Sequence, residues 1–166
     1  MKQLLILGFV LGCAANLPPA APNATPMPQA NIVQIYTSQS SEEAYASFGA
    51  YLAGAGFTIS YSDATLKIIN TDPLNMEIFL SPAKYSLQAS ILSNGVGSII
   101  QVRGTLHMKG FKTGYTGILT TTDDYGESQK VKMYGLSGSP LLVSWERIVA
   151  LCTSYPLSSQ IMYARN

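Results

Sequence analysis

At Gly56 the apolar residues of this 166-residue chain change their spacing from three and four to two. Before it, Ala44, Tyr45, Phe48, Tyr51, Leu52 and Ala55 recur at helical intervals and give one broad face to bury. Ser40 is placed to cap that helix, with Glu43 three residues on, and Glu42 and Glu43 set carboxylates in the first turn, where the helix dipole favours them. Gly54 and Gly56 supply the stop. Beyond Gly56, Phe57, Ile59 and Tyr61 alternate with Thr58, Ser60 and Ser62, and after a turn at Ser62-Asp63 the run Thr65 to Asn70 is extended again until Asp72-Pro73. These runs predict a hairpin. Tyr85, Leu87, Ala89 and Ile91, a turn at Ser93-Asn94-Gly95, and then Ile100, Val102, Gly104 and Leu106 predict a second.

The flanks complete the pattern. Ile32 to Thr37 is β-branched and reads as a strand, and Ser139-Pro140 opens a second helix whose face is Leu141, Leu142, Trp145, Ile148, Val149 and Cys152, ending before Pro156. Met76 to Leu80 is either a short extra strand or a connection that covers the sheet edge. The segment from His107 to Gly138 has no sustained period and reads as a long loop, with weak strands near Gly117 to Thr121 and Lys130 to Tyr134. Gln160 to Arg165 is a closing strand or a last helical turn. The order strand, helix, strands, helix predicts an α+β fold, an antiparallel sheet of about four to six strands with two helices packed on one face. In it Tyr45, Tyr51, Tyr61 and Tyr85 are expected to pack in the core with their hydroxyls at the rim.

The N-terminal residues carry an address. Lys2 precedes the apolar run Leu4 to Leu11, which as a helix rises about 12 Å against a hydrocarbon slab of roughly 30 Å, so it suits a secretory signal and not a membrane span. Val10-Leu11-Gly12-Cys13 resembles the lipobox of bacterial lipoproteins, with Leu11 standing where that family more often has a small residue. The resemblance implies cleavage after Gly12, diacylglycerol on the sulfur of Cys13 and acylation of the new amino group. Several acyl chains make such an anchor effectively permanent, whereas one would be marginal. Ala14 lacks the aspartate that retains enteric lipoproteins in the inner membrane, which implies the outer membrane of a bacterial envelope. From Ala14 to Ala30 five prolines and no charged residue predict a semi-rigid spacer of about 3 Å per residue. The organisation is therefore a signal peptide over 1–12, a lipidated Cys13 and tether over 13–30, and one domain over 31–166. In the lipobox, in the proline tether, in Ser40 to Gly56 leading into Phe57 to Tyr61, and in the closing helix around Trp145, the chain resembles small envelope lipoproteins. Among these is the accessory lipoprotein C of the outer-membrane β-barrel assembly machine, a fold-level likeness that carries no activity.

Charge and chemistry narrow the function. Ten basic residues against nine acidic give no surplus for phosphate backbones, so nucleic acid is not an expected partner, and without Lys2 the chain is formally neutral and not steered toward an acidic one. The sole histidine, His107, has no acid close in sequence, and no G-x-S-x-G elbow occurs. Asp123-Asp124 with Glu127 lacks calcium-loop spacing, and the short glycine clusters are no phosphate cradle, so neither metal nor cofactor is expected. With Cys13 acylated, Cys152 has no intramolecular partner and reads as a buried, inert thiol. Tyrosine stands out at ten residues, and Tyr115, Tyr125 and Tyr134, in the irregular segment, are the candidates for a binding surface. The expectation is a non-enzymatic binding or scaffold module, held to membrane lipid through Cys13 and meeting an envelope protein or polymer. The alternative is a small secreted or periplasmic hydrolase using His107.

Overall fold

The computed structural model describes residues 25–78, 81–113, 119–125, 128–133 and 139–165, with side chains at all of these except 77–78, 81–82, 109–113 and 119–125. Cys13, the signal segment, Tyr115 and Tyr134 lie outside the described residues. The fold is α+β. Its spine is a long hairpin of β5 (Ser81–Ser93) and β6 (Ser98–Thr113), paired in register from Ala83 opposite Met108 to Ser93 opposite Ser98. Gly95 closes the turn at φ +88°, where a side chain would be strained, and the Asn94 N–H donates to the Gly97 carbonyl at 3.1 Å.

Both outer edges of this hairpin are covered by antiparallel partners. Against β5 lie β3 (Ile68–Thr71) and, further along, β4 (Leu74–Ile78), with β2 (Ile59–Asp63) outside β3. Against β6 lie β1 (Ile32–Thr37), the two-residue β8 (Gln129–Lys130) and β7 (Leu119–Tyr125), with β9 (Gln160–Ala164) outside β1. The main order is β2-β3-β5-β6-β1-β9, and β4, β7 and β8 bring the described strands to nine, more than the expected four to six. Part of the surplus comes from the hairpin outrunning its alternating pattern: β6 continues through His107 to Thr113 and pairs there with β7, while β8 pairs with Thr105 and Leu106 inside the pattern.

One face of the sheet is apolar. Ile100, Val102 and Leu106 on β6, Leu87, Ala89 and Ile91 on β5, Ile69 on β3, Val33 and Ile35 on β1 and Ile161 on β9 are all buried there. α1 (Ser41–Gly54) and α2 (Pro140–Thr153) both pack on this face. The Ser40 capping box is formed: the Glu43 N–H donates to Ser40 Oγ at 3.3 Å and the Ser40 N–H to Glu43 Oε2 at 3.0 Å. Ser139 caps α2 through the Leu142 N–H, with Pro140 in its first turn. α2 comes closest to the sheet at Gly104, where a Cβ would run into Ile148 Cδ1 and sit 3.2 Å from Val131. The helices join each other through Tyr51, whose hydroxyl donates to the Leu151 carbonyl at 2.7 Å, and through Tyr155, which stacks edge-on against Phe48 and bonds Ser47 Oγ at 2.7 Å. Gln160–Ala164 form strand β9, the first of the two expected alternatives, and not a helical turn.

Three local expectations are corrected. Thr65, Leu66 and Lys67 form a turn and not strand, because Asp63 Oδ1 accepts from the Thr65 and Leu66 N–H groups and Lys67 takes φ 55°. Tyr61 is 51% exposed instead of packed in the core. The register between β2 and β3 shifts between Ile59 and Tyr61, which pair with Thr71 and Asn70, so two residues that alternate in sequence face opposite sides of the sheet. Ala30, at the end of the expected tether, is fully buried, and Tyr45 and Tyr51 are half-buried while Tyr85 is buried.

The close approach at Gly104 yields a test. Gly104→Ala is expected to cost about 1–3 kcal/mol through overpacking, and Ile148→Val about 0.5–1.5 kcal/mol alone. The double variant should cost clearly less than both together in urea unfolding, since removing Cδ1 makes room for the new methyl.

Candidate functional site

The described chain joins the domain at one end of β1. There the Gln29 N–H donates to the Met133 carbonyl at 3.0 Å, the Met133 N–H to the Ala30 carbonyl at 2.8 Å, and the Asn31 N–H to the Ala164 carbonyl at 3.0 Å. Residues 29–31 are thereby stitched between the segment that follows β8 and the end of β9. Val131 is anchored in the core, with its N–H on the Gly104 carbonyl at 2.8 Å. Lys130 and Lys132, on either side of it, line a cleft of about 560 Å³ together with Arg165, Gln29, Asn31 and Gln129. The first turn of α2 borders it at Leu141, and no carboxylate is among its described lining residues. Three cations, side-chain amides and a helix N-terminal turn make a donor-rich concavity that suits a phosphate or carboxylate.

An apolar groove adjoins it on α2. Pro26, Met133, Leu142, Trp145 and Val149 line about 300 Å³, with Glu146 at its border. Met133 and Leu142 of the groove are the chain neighbours of Lys132 and Leu141 of the cleft. Pro26 therefore brings the last prolines of the tether segment directly onto this surface.

Charge is separated along β1. The six residues of that strand span about 20 Å, and at the far end sit Glu42 and Glu43 in the first turn of α1. Lys67 pairs with Glu42 at 3.0 Å across to the β2–β3 turn and lies 5.6 Å from the centre of the Tyr45 ring. The hydrogen bond from Lys67 holds the Glu42 carboxyl below its ordinary range, and hydrogen bonds from the Ser40 backbone and hydroxyl do the same for Glu43.

The residues singled out in the sequence lie elsewhere. His107 sits within β6, opposite Lys84, and not at a strand end. The backbone of Tyr125 lies opposite Lys109 on β6, two positions from His107. Cys152 is fully buried, and burial pushes its thiol pKa far up. On the face of the sheet away from the helices Arg103, Gln88 and Asn70 form one row across three strands, with Arg103 Nε and Asn70 Oδ1 buried and unbonded among the described residues. Among the described residues no three of His, Cys, Asp and Glu converge as metal ligands, and no helix is long and apolar enough to cross a membrane. The cleft residues Gln29, Lys130 and Arg165 were not legible beforehand, because they come from three distant parts of the chain. The one local signal was the Lys130, Lys132 pair flanking an apolar residue. Compared with known proteins, the chain matches no family model and no curated sequence.

Two outcomes follow. A thiol reagent at mildly alkaline pH should leave Cys152 unmodified in the folded Cys13→Ala chain and label it on unfolding; fast labelling of the native state would show the site is open. At the acidic end, carboxyls depressed in the folded state stabilise it above their unfolded range, and that contribution is lost as pH falls below the ordinary 4.5 and through the folded value. Ser40→Ala is expected to cost about 0.5–2 kcal/mol at neutral pH and to flatten the acid limb of a stability-against-pH curve.

Proposed function

We propose that this chain is a lipid-anchored protein of the bacterial envelope whose α+β domain is a non-enzymatic binding module. The resemblance of Val10-Leu11-Gly12-Cys13 to a lipobox makes Cys13 the anchor, and Ala14 favours the outer membrane. The observation that carries the reading is the meeting of tether and site: the segment that leaves the proline-rich stretch enters the fold at Gln29–Asn31, where it forms one wall of the cleft and, through Pro26, of the apolar groove. A domain held by such a segment works at its tethered end. The donor set there holds and orients an anionic or amphipathic partner, an envelope protein or polymer, and requires no nucleophile or base to do so.

His107 belongs to a different surface, opposite Lys84 on the β5–β6 hairpin. A hydrolase would need an acid and a nucleophile gathered around that ring. The cross-strand partner of His107 is Lys84.

Intact mass spectrometry of the chain purified from bacterial membranes tests the anchor. The wild type is expected to start at Cys13 carrying diacylglycerol and an N-acyl chain, and Cys13→Ala to lose both and leave the membrane fraction. An unmodified Cys13 in the membrane-derived wild type would refute the assignment.

A further inference from the structure

We infer that the basic cleft binds the phosphate of an anionic lipid headgroup, so that the domain lies with its tethered end against the bilayer. This rests on the reading of the chain as lipid-anchored and names the ligand of the cleft described above. The chemistry comes first. Lys130 of β8, Lys132 in the irregular segment after it and Arg165 just past β9 line one cleft, with Gln29 and Gln129 adding amides, and no described carboxylate lines the same concavity. The carboxylates that offset these cations in the formal charge include Glu42 and Glu43, at the other end of β1. Glu146, the nearest acid on α2, borders the apolar groove instead.

Position and shape then choose the lipid over a soluble phosphate. Thr25 to Asn31 deliver the chain to this end, so an anchor upstream brings the cleft, before any other part of the domain, to the membrane surface. The adjoining groove of Leu142, Val149, Met133 and Pro26 is apolar, and an apolar strip beside cations is the pattern that settles at the headgroup and acyl boundary. A soluble phosphate compound has no use for it. Each Lys or Arg close to an anionic surface contributes about a fivefold gain in binding, so Lys130 and Arg165 together give roughly twentyfold or more. That is too little to retain a free protein and enough to orient one whose effective concentration at the surface is already fixed by an anchor.

The test uses the mature polypeptide from residue 13 with Cys13→Ala, so that no acyl chain contributes. Sedimentation with vesicles of phosphatidylcholine mixed with phosphatidylglycerol should exceed sedimentation with phosphatidylcholine alone, and added salt should abolish the difference. Lys130→Gln and Arg165→Gln should each weaken binding about fivefold, while Lys67→Gln, at the opposite end, leaves it unchanged. Equal binding to the two vesicle types, or an equal loss with Lys67→Gln, overturns the proposal. So does a titration in which inorganic phosphate shifts the NMR signals of Lys130 and Arg165 while vesicles of either composition fail to sediment the chain, since the site would then take a soluble phosphate. Because this chain carries no lipid, the outcome is independent of whether Cys13 is acylated in the cell, which mass spectrometry decides separately.

Discussion

The register of the β5–β6 hairpin organises everything else in this domain. From Ala83 opposite Met108 to Ser93 opposite Ser98 the two strands stay in step without a bulge, so every second residue of each is committed to the same face. A slip of one position would send Leu87, Ala89, Val102 and Leu106 to the side where Gln88, Gln101 and Arg103 now lie, and the core would be lost. With both inner faces locked, each outer edge becomes a template, and five further strands pair along the two edges. The helices have one surface left to cover, and both take it.

Covering a single face with two helices requires them to agree on height. Gly104 solves this for α2, because its missing side chain lets Ile148 and Val131 occupy the space directly above β6. On α1 Phe48 is fully buried, and Tyr51 and Tyr155 use their rings to fill the seam between the helices and their hydroxyls to bond across it. Tyrosine suits that seam because one end of the side chain packs and the other requires a polar partner. Part of the tyrosine content therefore belongs to the architecture and not to recognition.

What was legible in the sequence is what short-range chemistry decides. The Ser40 capping box, the Ser139-Pro140 helix start and the turn at Asn94-Gly95 each need only a few neighbouring residues, and each is formed as read. Tyr61 was misread because a bulge between it and Ile59 breaks the parity on which an alternating pattern depends. β7 carries no alternation of its own and becomes a strand because β6 extends past Leu106 to meet it, and β8 because Thr105 and Leu106 offer it a free edge, tertiary effects that propensity does not contain. The cleft was hidden for a related reason. Lys130, Lys132 and Arg165 are unremarkable in sequence, and only the stitching of Gln29–Asn31 between the β8 end and β9 makes them neighbours.

Formal neutrality had the same blind spot. A chain with ten basic and nine acidic residues exerts little pull at long range, and that inference from the totals holds at distances beyond a Debye length of about 8–10 Å. It says nothing about contact. β1 holds the cations of the cleft and the carboxylates of α1 about 20 Å apart, farther than salt allows them to cancel each other at either surface. A tether attached midway would present both ends equally, and the separation would have no orientation to act on. In the anchoring proposed above, attachment at Gln29–Asn31 would turn the cleft toward the bilayer and the first turn of α1, where Lys67 pairs with Glu42, away from it.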